Sequence, residues 1–180
     1  MEKTEPIVID ANIIIGIGDH ILNEYSKNKR KPLMKIIYDV LENKTDGVLV
    51  TLFENYILFT SILSKYEFMH SKERKGNMST RRKIYDEITY HFKISQLTFE
   101  GVSNFMTYEF FENLLKYDID LADGMHVLLA SKKSAKNRGL IFVTGNTKHI
   151  PKIKKLWSKV YSVSEIYKKL KKEGKLGGNK

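Results

Sequence analysis

The stretch IVIDANIII (residues 7–15) constrains the fold of this 180-residue chain more than any other. Its apolar residues read as a buried strand that hands over to a helix, yet Asp10 and Asn12 stand at the handover. Burying an ionised carboxylate without a partner is costly. Asp10 therefore either caps the following helix or faces something positive.

The rest of the chain repeats this alternation. Residues 6–9 form a first strand and a helix starts near Asn12; PLMKIIYDVLENK (32–44) has helical spacing, with Pro32 suited to a first turn. DGVLVT (46–51) reads as a turn and a β-branched strand, followed by one long, nearly all-apolar helix over 51–70. Further helices are predicted over 80–92, 101–118 and 120–137, with an extended piece at 94–99. GLIFVT (139–144) is a buried strand, IPKIKKLW a short helix, KVYSV a strand, and SEIYKKLKKEG (164–174) a capped terminal helix. Strands alternating with helices predict a three-layer α/β/α fold around a mostly parallel sheet. One domain is predicted over 1–174, with a loose basic tail at 175–180.

Composition narrows the function classes. The chain has no cysteine, which excludes disulfides, zinc–thiolate sites and cysteine nucleophiles and fits a reducing, cytoplasmic setting. No apolar run approaches the roughly 20 residues of a membrane span, and the acidic first residues predict no signal peptide. The glycines form no phosphate-binding loop, and GIG at 16–18 is too short for a dinucleotide fingerprint. Residues 132–180 hold 15 Lys/Arg against 2 Asp/Glu, whereas residues 1–131 hold 16 against 19, so the last 49 residues carry the whole +10 surplus. Such a block suits a polyanion, although a solvated lysine-rich face has the same composition.

Ligands of parallel sheets bind beyond the carboxyl ends of the strands. Three polar strand ends fall there in this reading: Asp10 with Asn12, Thr51 with Glu54, and Thr144 with Asn146. DIDLADGMH adds Asp118, Asp120 and Asp123 at the opening of a helix. Each acid has a plainer reading: a cap for Asp10, a core salt bridge for Glu54, a helix-dipole partner for the acids of 118–123. A hard divalent cation would unify them, because Mg²⁺ or Mn²⁺ is held by two or three carboxylates and serves phosphodiester cleavage.

In their order and spacing these motifs resemble the PIN-domain ribonucleases, in particular the toxin-like prokaryotic members. The resemblance runs over most of the chain: IVIDANII, VTLFENYIL, LADGMHVLLA and IFVTGNTKHIP. It implies a PIN-like fold and an Mg²⁺- or Mn²⁺-dependent endoribonuclease acting on single-stranded RNA. Asp10, Glu54 and Asp123 would hold metal, with Asn146 completing the catalytic set where many members carry a fourth Asp. Asn12, Asp120 and Thr144 would support them, and Arg81, Arg82, Lys148 and Lys152 would meet the RNA backbone. The resemblance further implies an antitoxin peptide as partner, a homodimer, and no membrane. A non-catalytic RNA-binding PIN protein is the alternative. His126 and His149 read as structural, and the basic connection Lys72, Arg74, Lys75, Arg81 and Arg82 as either an RNA clamp or a solvated turn.

Overall fold

The computed structural model describes residues 5–44, 47–70, 77–100, 103–132 and 139–173. Five strands form one all-parallel sheet: β1 (Pro6–Ile9), β2 (Ile57–Ser61), β3 (Ser95–Leu97), β4 (Ile141–Thr144) and β5 (Val160–Ser162). Their order is β3-β2-β1-β4-β5, with Val8 opposite both Phe59 and Phe142. The chain therefore moves to one side of β1 and later to the other. The carboxyl ends of β1 and β4 mark the point of reversal, where an open parallel sheet leaves a crevice.

The connections are helical, as a parallel sheet demands. α1 (Ala11–Lys27), α2 (Leu33–Lys44) and α3 (Val48–Asn55) join β1 to β2; α4 (Ile62–His70) and α5 (Met78–His91) join β2 to β3. A 3₁₀ turn (Ser103–Phe105), α6 (Tyr108–Lys116) and α7 (Leu121–Lys132) lead to β4. α8 (Ile150–Ile153) joins β4 to β5, and α9 (Val163–Lys172) follows.

Side-chain alternation on the strands divides the core. Ile7, Ile9 and Val143 point into one apolar layer with Ile14, Ile21, Leu41, Phe68 and Ile166. Val8 and Phe142 point into the other with Val127, Ala130 and Ile153. The three-layer α/β/α architecture predicted from the sequence is thus present, with helices on both faces of a central parallel sheet. Among the described residues no helix is long and apolar enough to cross a membrane.

One stretch departs from the sequence reading. The β-branched strand predicted after the turn of 46–51 is the start of helix α3, and the predicted helix over 51–70 is broken into the end of α3, strand β2 and helix α4. The reversal is physical. α3 ends where Tyr56, 2 % exposed, takes extended dihedrals (φ −114°, ψ 152°) and feeds β2 between β1 and β3. A central strand is apolar on both faces and so lacks the two-residue alternation that separates strand from helix. The terminal helix begins one residue before the predicted boundary and is capped by Ser162, whose hydroxyl accepts from Glu165 N while the Glu165 carboxylate takes Ser162 N. The predicted tail at 175–180, the end of the helix predicted over 120–137, and the connection bearing Lys72, Arg74 and Lys75 lie outside the described residues.

Candidate active site

Asp10 follows the last residue of β1 and precedes α1. Its backbone N–H donates to Val143 O at 2.8 Å, which ties it to β4 at the reversal point. It occupies the N-cap position of α1, yet its side chain makes no capping hydrogen bond. The capping role is therefore absent. Instead the carboxylate, 2 % exposed, accepts from Thr144 Oγ1 at 2.6 Å.

Thr144 is fully buried, and its hydroxyl is saturated. It donates to Asp10 and accepts from Asn146 N at 3.0 Å and from Asn12 Nδ2 at 3.4 Å. Asn12 Oδ1 accepts from Gly145 N at 3.0 Å. The start of α1 and the turn after β4 thus clamp one carboxylate rotamer from two directions. Asn146 enters this network through its backbone rather than its amide.

The other acids arrive from α7 and α4. Asp120 Oδ1 accepts from Asp123 N at 2.9 Å, holding the first turn of α7. Asp123, 13 % exposed at its side chain, meets His149 Nδ1 at 2.8 Å. Ligating atoms of Asp120, Asp123 and His149 all lie within 4.8 Å of one another. On α4, Ser61 Oγ accepts from Leu63 N at 3.0 Å at the helix start, and Glu67 meets His126 Nε2 at 2.7 Å. His126 is 1 % exposed, and its Nδ1 is buried without a hydrogen-bond partner.

Electrostatics join these groups. Burial pushes Asp10 up to about 6; His126 and the Thr144 hydroxyl pull it down, and the charges of Asp123 and Glu67 raise it again. Burial also raises Asp123, against the hydrogen bond from His149, with Asp120 adding to the rise. Burial disfavours the imidazolium of His126, but Glu67, Asp10 and Asp123 outweigh it and raise its pKa. Two carboxylates are thus held above their ordinary range around a buried imidazole whose protonated form those acids favour.

The comparisons with known proteins add no identity: the chain matches no family model and no curated protein. What the site can do is therefore read from its own atoms. An all-oxygen acidic set with one imidazole suits Mg²⁺ or Mn²⁺, and the raised Asp10 and Asp123 are the groups a cation would discharge. Asp120, Asp123 and His149 stand close enough together to share such an ion, and Asp10 is coupled to Asp123 through charge.

The predicted site residues fall into three groups. Asp10, Asn12, Thr144, Asn146, Asp120 and Asp123 gather at the carboxyl ends of β1 and β4. Glu54 does not join them. It sits on the last turn of α3, just ahead of β2 and so at the amino-terminal edge of the sheet, exposed beside Tyr38, Phe53 and His91. The broken helix is the reason, since β2 intervenes between Glu54 and the crevice. Glu67, overlooked in the sequence, faces the acids in its place.

The basic candidates also differ. Arg81 donates to Met69 O at 2.9 Å and so ties α5 to α4, and Arg82 lies 3.6 Å from Asp86 one turn along α5. Lys152 meets Asp118 at 2.5 Å, and Lys148 is exposed beside the turn that carries Asn146.

Proposed function

We propose that this protein is a metal-dependent endoribonuclease that hydrolyses phosphodiester bonds of single-stranded RNA. One observation carries the reading: a buried carboxylate, Asp10, makes no cap bond, is aimed by Thr144, and shares its electrostatic field with Asp123 and Glu67 at the reversal point of a parallel sheet. Asp10, Glu67 and Asp123 offer oxygen ligands, with Asp120 and His149 beside Asp123. A divalent ion bound there supplies charge neutralisation at the phosphate and activation of the attacking water. The chain's own part is positional. Thr144 and Asn12 hold Asp10, His149 holds Asp123, and His126 holds Glu67. Lys148, exposed on the turn after β4, draws the backbone toward this edge.

The test is cleavage of a single-stranded RNA with Mn²⁺ and with EDTA, beside Asp10→Asn. Loss of cleavage in both arms supports the proposal; cleavage untouched by either overturns it. The Glu67–His126 pair favours one second reading, a non-catalytic RNA-binding protein, because an imidazolium already places positive charge among the acids. That reading expects salt-sensitive RNA binding that survives Asp10→Asn, without cleavage.

A further inference from the structure

Beside the acidic centre lies a cavity of about 500 Å³ that the chemistry above leaves unused. Its inner wall is Thr144 and Gly145, the residues that clamp Asp10 through the Thr144 hydroxyl and Asn12. One side is α1, through Ile13, Gly16 and Ile17; another is the start of α9 with Tyr167. Val40 and Leu49 close the floor. Most of its surface is apolar, with the Thr147 and Ser164 hydroxyls and the His20 imidazole among the few polar groups. This is the pattern of a pocket for a flat, largely apolar ligand with polar edges.

Resting on the nuclease reading, we propose that this cavity receives one unpaired nucleobase of the RNA strand whose phosphodiester lies over Asp10. Three features favour a base over an apolar protein side chain. The cavity shares a wall with the cleavage centre, so a strand engaged there brings a neighbouring base to its mouth. The Thr147 hydroxyl and the His20 imidazole can bond the edge of a base, whereas an aliphatic chain would leave them unused. It offers an aromatic ring, Tyr167, to a base face. A paired base keeps its edge in the duplex and cannot enter, so the cavity selects single strands.

Gly16 makes the proposal testable. It lines the cavity from α1, and a Cβ built on it meets nothing within 4 Å. Gly16→Leu therefore adds bulk at a cavity-lining helical position that carries none of the acids, and Gly16→Ala adds only a methyl with space around it. The readout is the ratio of RNA cleavage to hydrolysis of bis(p-nitrophenyl) phosphate, a diester with no base, both with Mn²⁺. The ratio is expected to fall about tenfold or more in Gly16→Leu, the scale of one lost stacked base, and to hold in Gly16→Ala. An unchanged ratio in Gly16→Leu overturns base capture and leaves the cavity to an apolar partner segment. A chain that binds RNA but hydrolyses neither substrate overturns the nuclease reading instead. Base capture is then decided by fluorescence anisotropy with a labelled oligonucleotide: weaker binding by Gly16→Leu supports it, and equal binding overturns it.

Discussion

Glu67 Oε2 stands 2.7 Å from His126 Nε2, joining α4 to α7 beneath the acidic centre. Nothing comparable holds Glu54, which lies exposed at the opposite edge of the sheet. The two glutamates are 13 residues apart, and β2 separates their surroundings completely. Glu67→Gln should lower metal-dependent RNA cleavage about tenfold or more, the range for a carboxylate that tunes a metal site. Glu54→Gln should leave cleavage unchanged. Steady-state rates with a fluorogenic oligonucleotide check both.

Asp10 makes stability depend on pH in an unusual direction. Its folded-state pKa of about 6 lies above the ordinary 3.8, so the folded chain holds this proton more tightly than the unfolded chain. Its contribution is fully present below the ordinary pKa, and is lost as pH rises through about 6. With EDTA present, the wild type should therefore weaken relative to Asp10→Asn between these values. The difference should reach about 3 kcal/mol at neutral pH. Asparagine keeps an acceptor for Thr144, so the comparison isolates the charge. Urea melts across this pH range measure it.

The same burial of a carboxylate gives a divalent ion its leverage. An ion that binds the folded chain alone, at a hundredfold excess over its dissociation constant, adds about 2.7 kcal/mol. For a chain of this size that corresponds to a rise in Tm of about 5–10 °C. Mn²⁺ at pH 7 should produce this rise in the wild type. Asp123→Asn should abolish it, since Asp123 belongs both to the group with Asp120 and His149 and to the field around Asp10. Differential scanning calorimetry with and without EDTA reads the effect.

Most of the site was legible because its residues are local signals at strand ends. Asp10 interrupts an apolar run, Thr144 and Asn146 follow a buried strand, and Asp123 opens a helix; each position needs only the neighbouring pattern. Glu67 was not legible for the same reason. KYEFMH has no distinguishing spacing, and its role depends on where β2 begins. Apolar residues recur through the run from Val48 to Phe68 without a clean two-residue period, so helix and central strand satisfy it equally. His126 is buried against Glu67, a partner 59 residues away to which no periodicity connects it. The cavity beside Thr144 is assembled from separate elements and left no trace in any one of them.

Two glycines on α1 should respond in opposite ways to the same substitution. Gly18 faces α4, and a Cβ there would stand 2.2 Å from Phe68 Cε2. Phe68 is fully buried and packs against Tyr85 at 5.4 Å between ring centroids, so it has no free path to retreat. Gly18→Ala should overpack this contact and cost about 1–3 kcal/mol. Gly16 is exposed, and an added methyl there meets nothing. Gly16→Ala should gain about 0.5–1 kcal/mol, since glycine within a helix is the more entropically costly residue. Thermal melts of the two single variants should therefore move Tm in opposite directions. Equal shifts would mean that α1 does not approach α4 through Gly18.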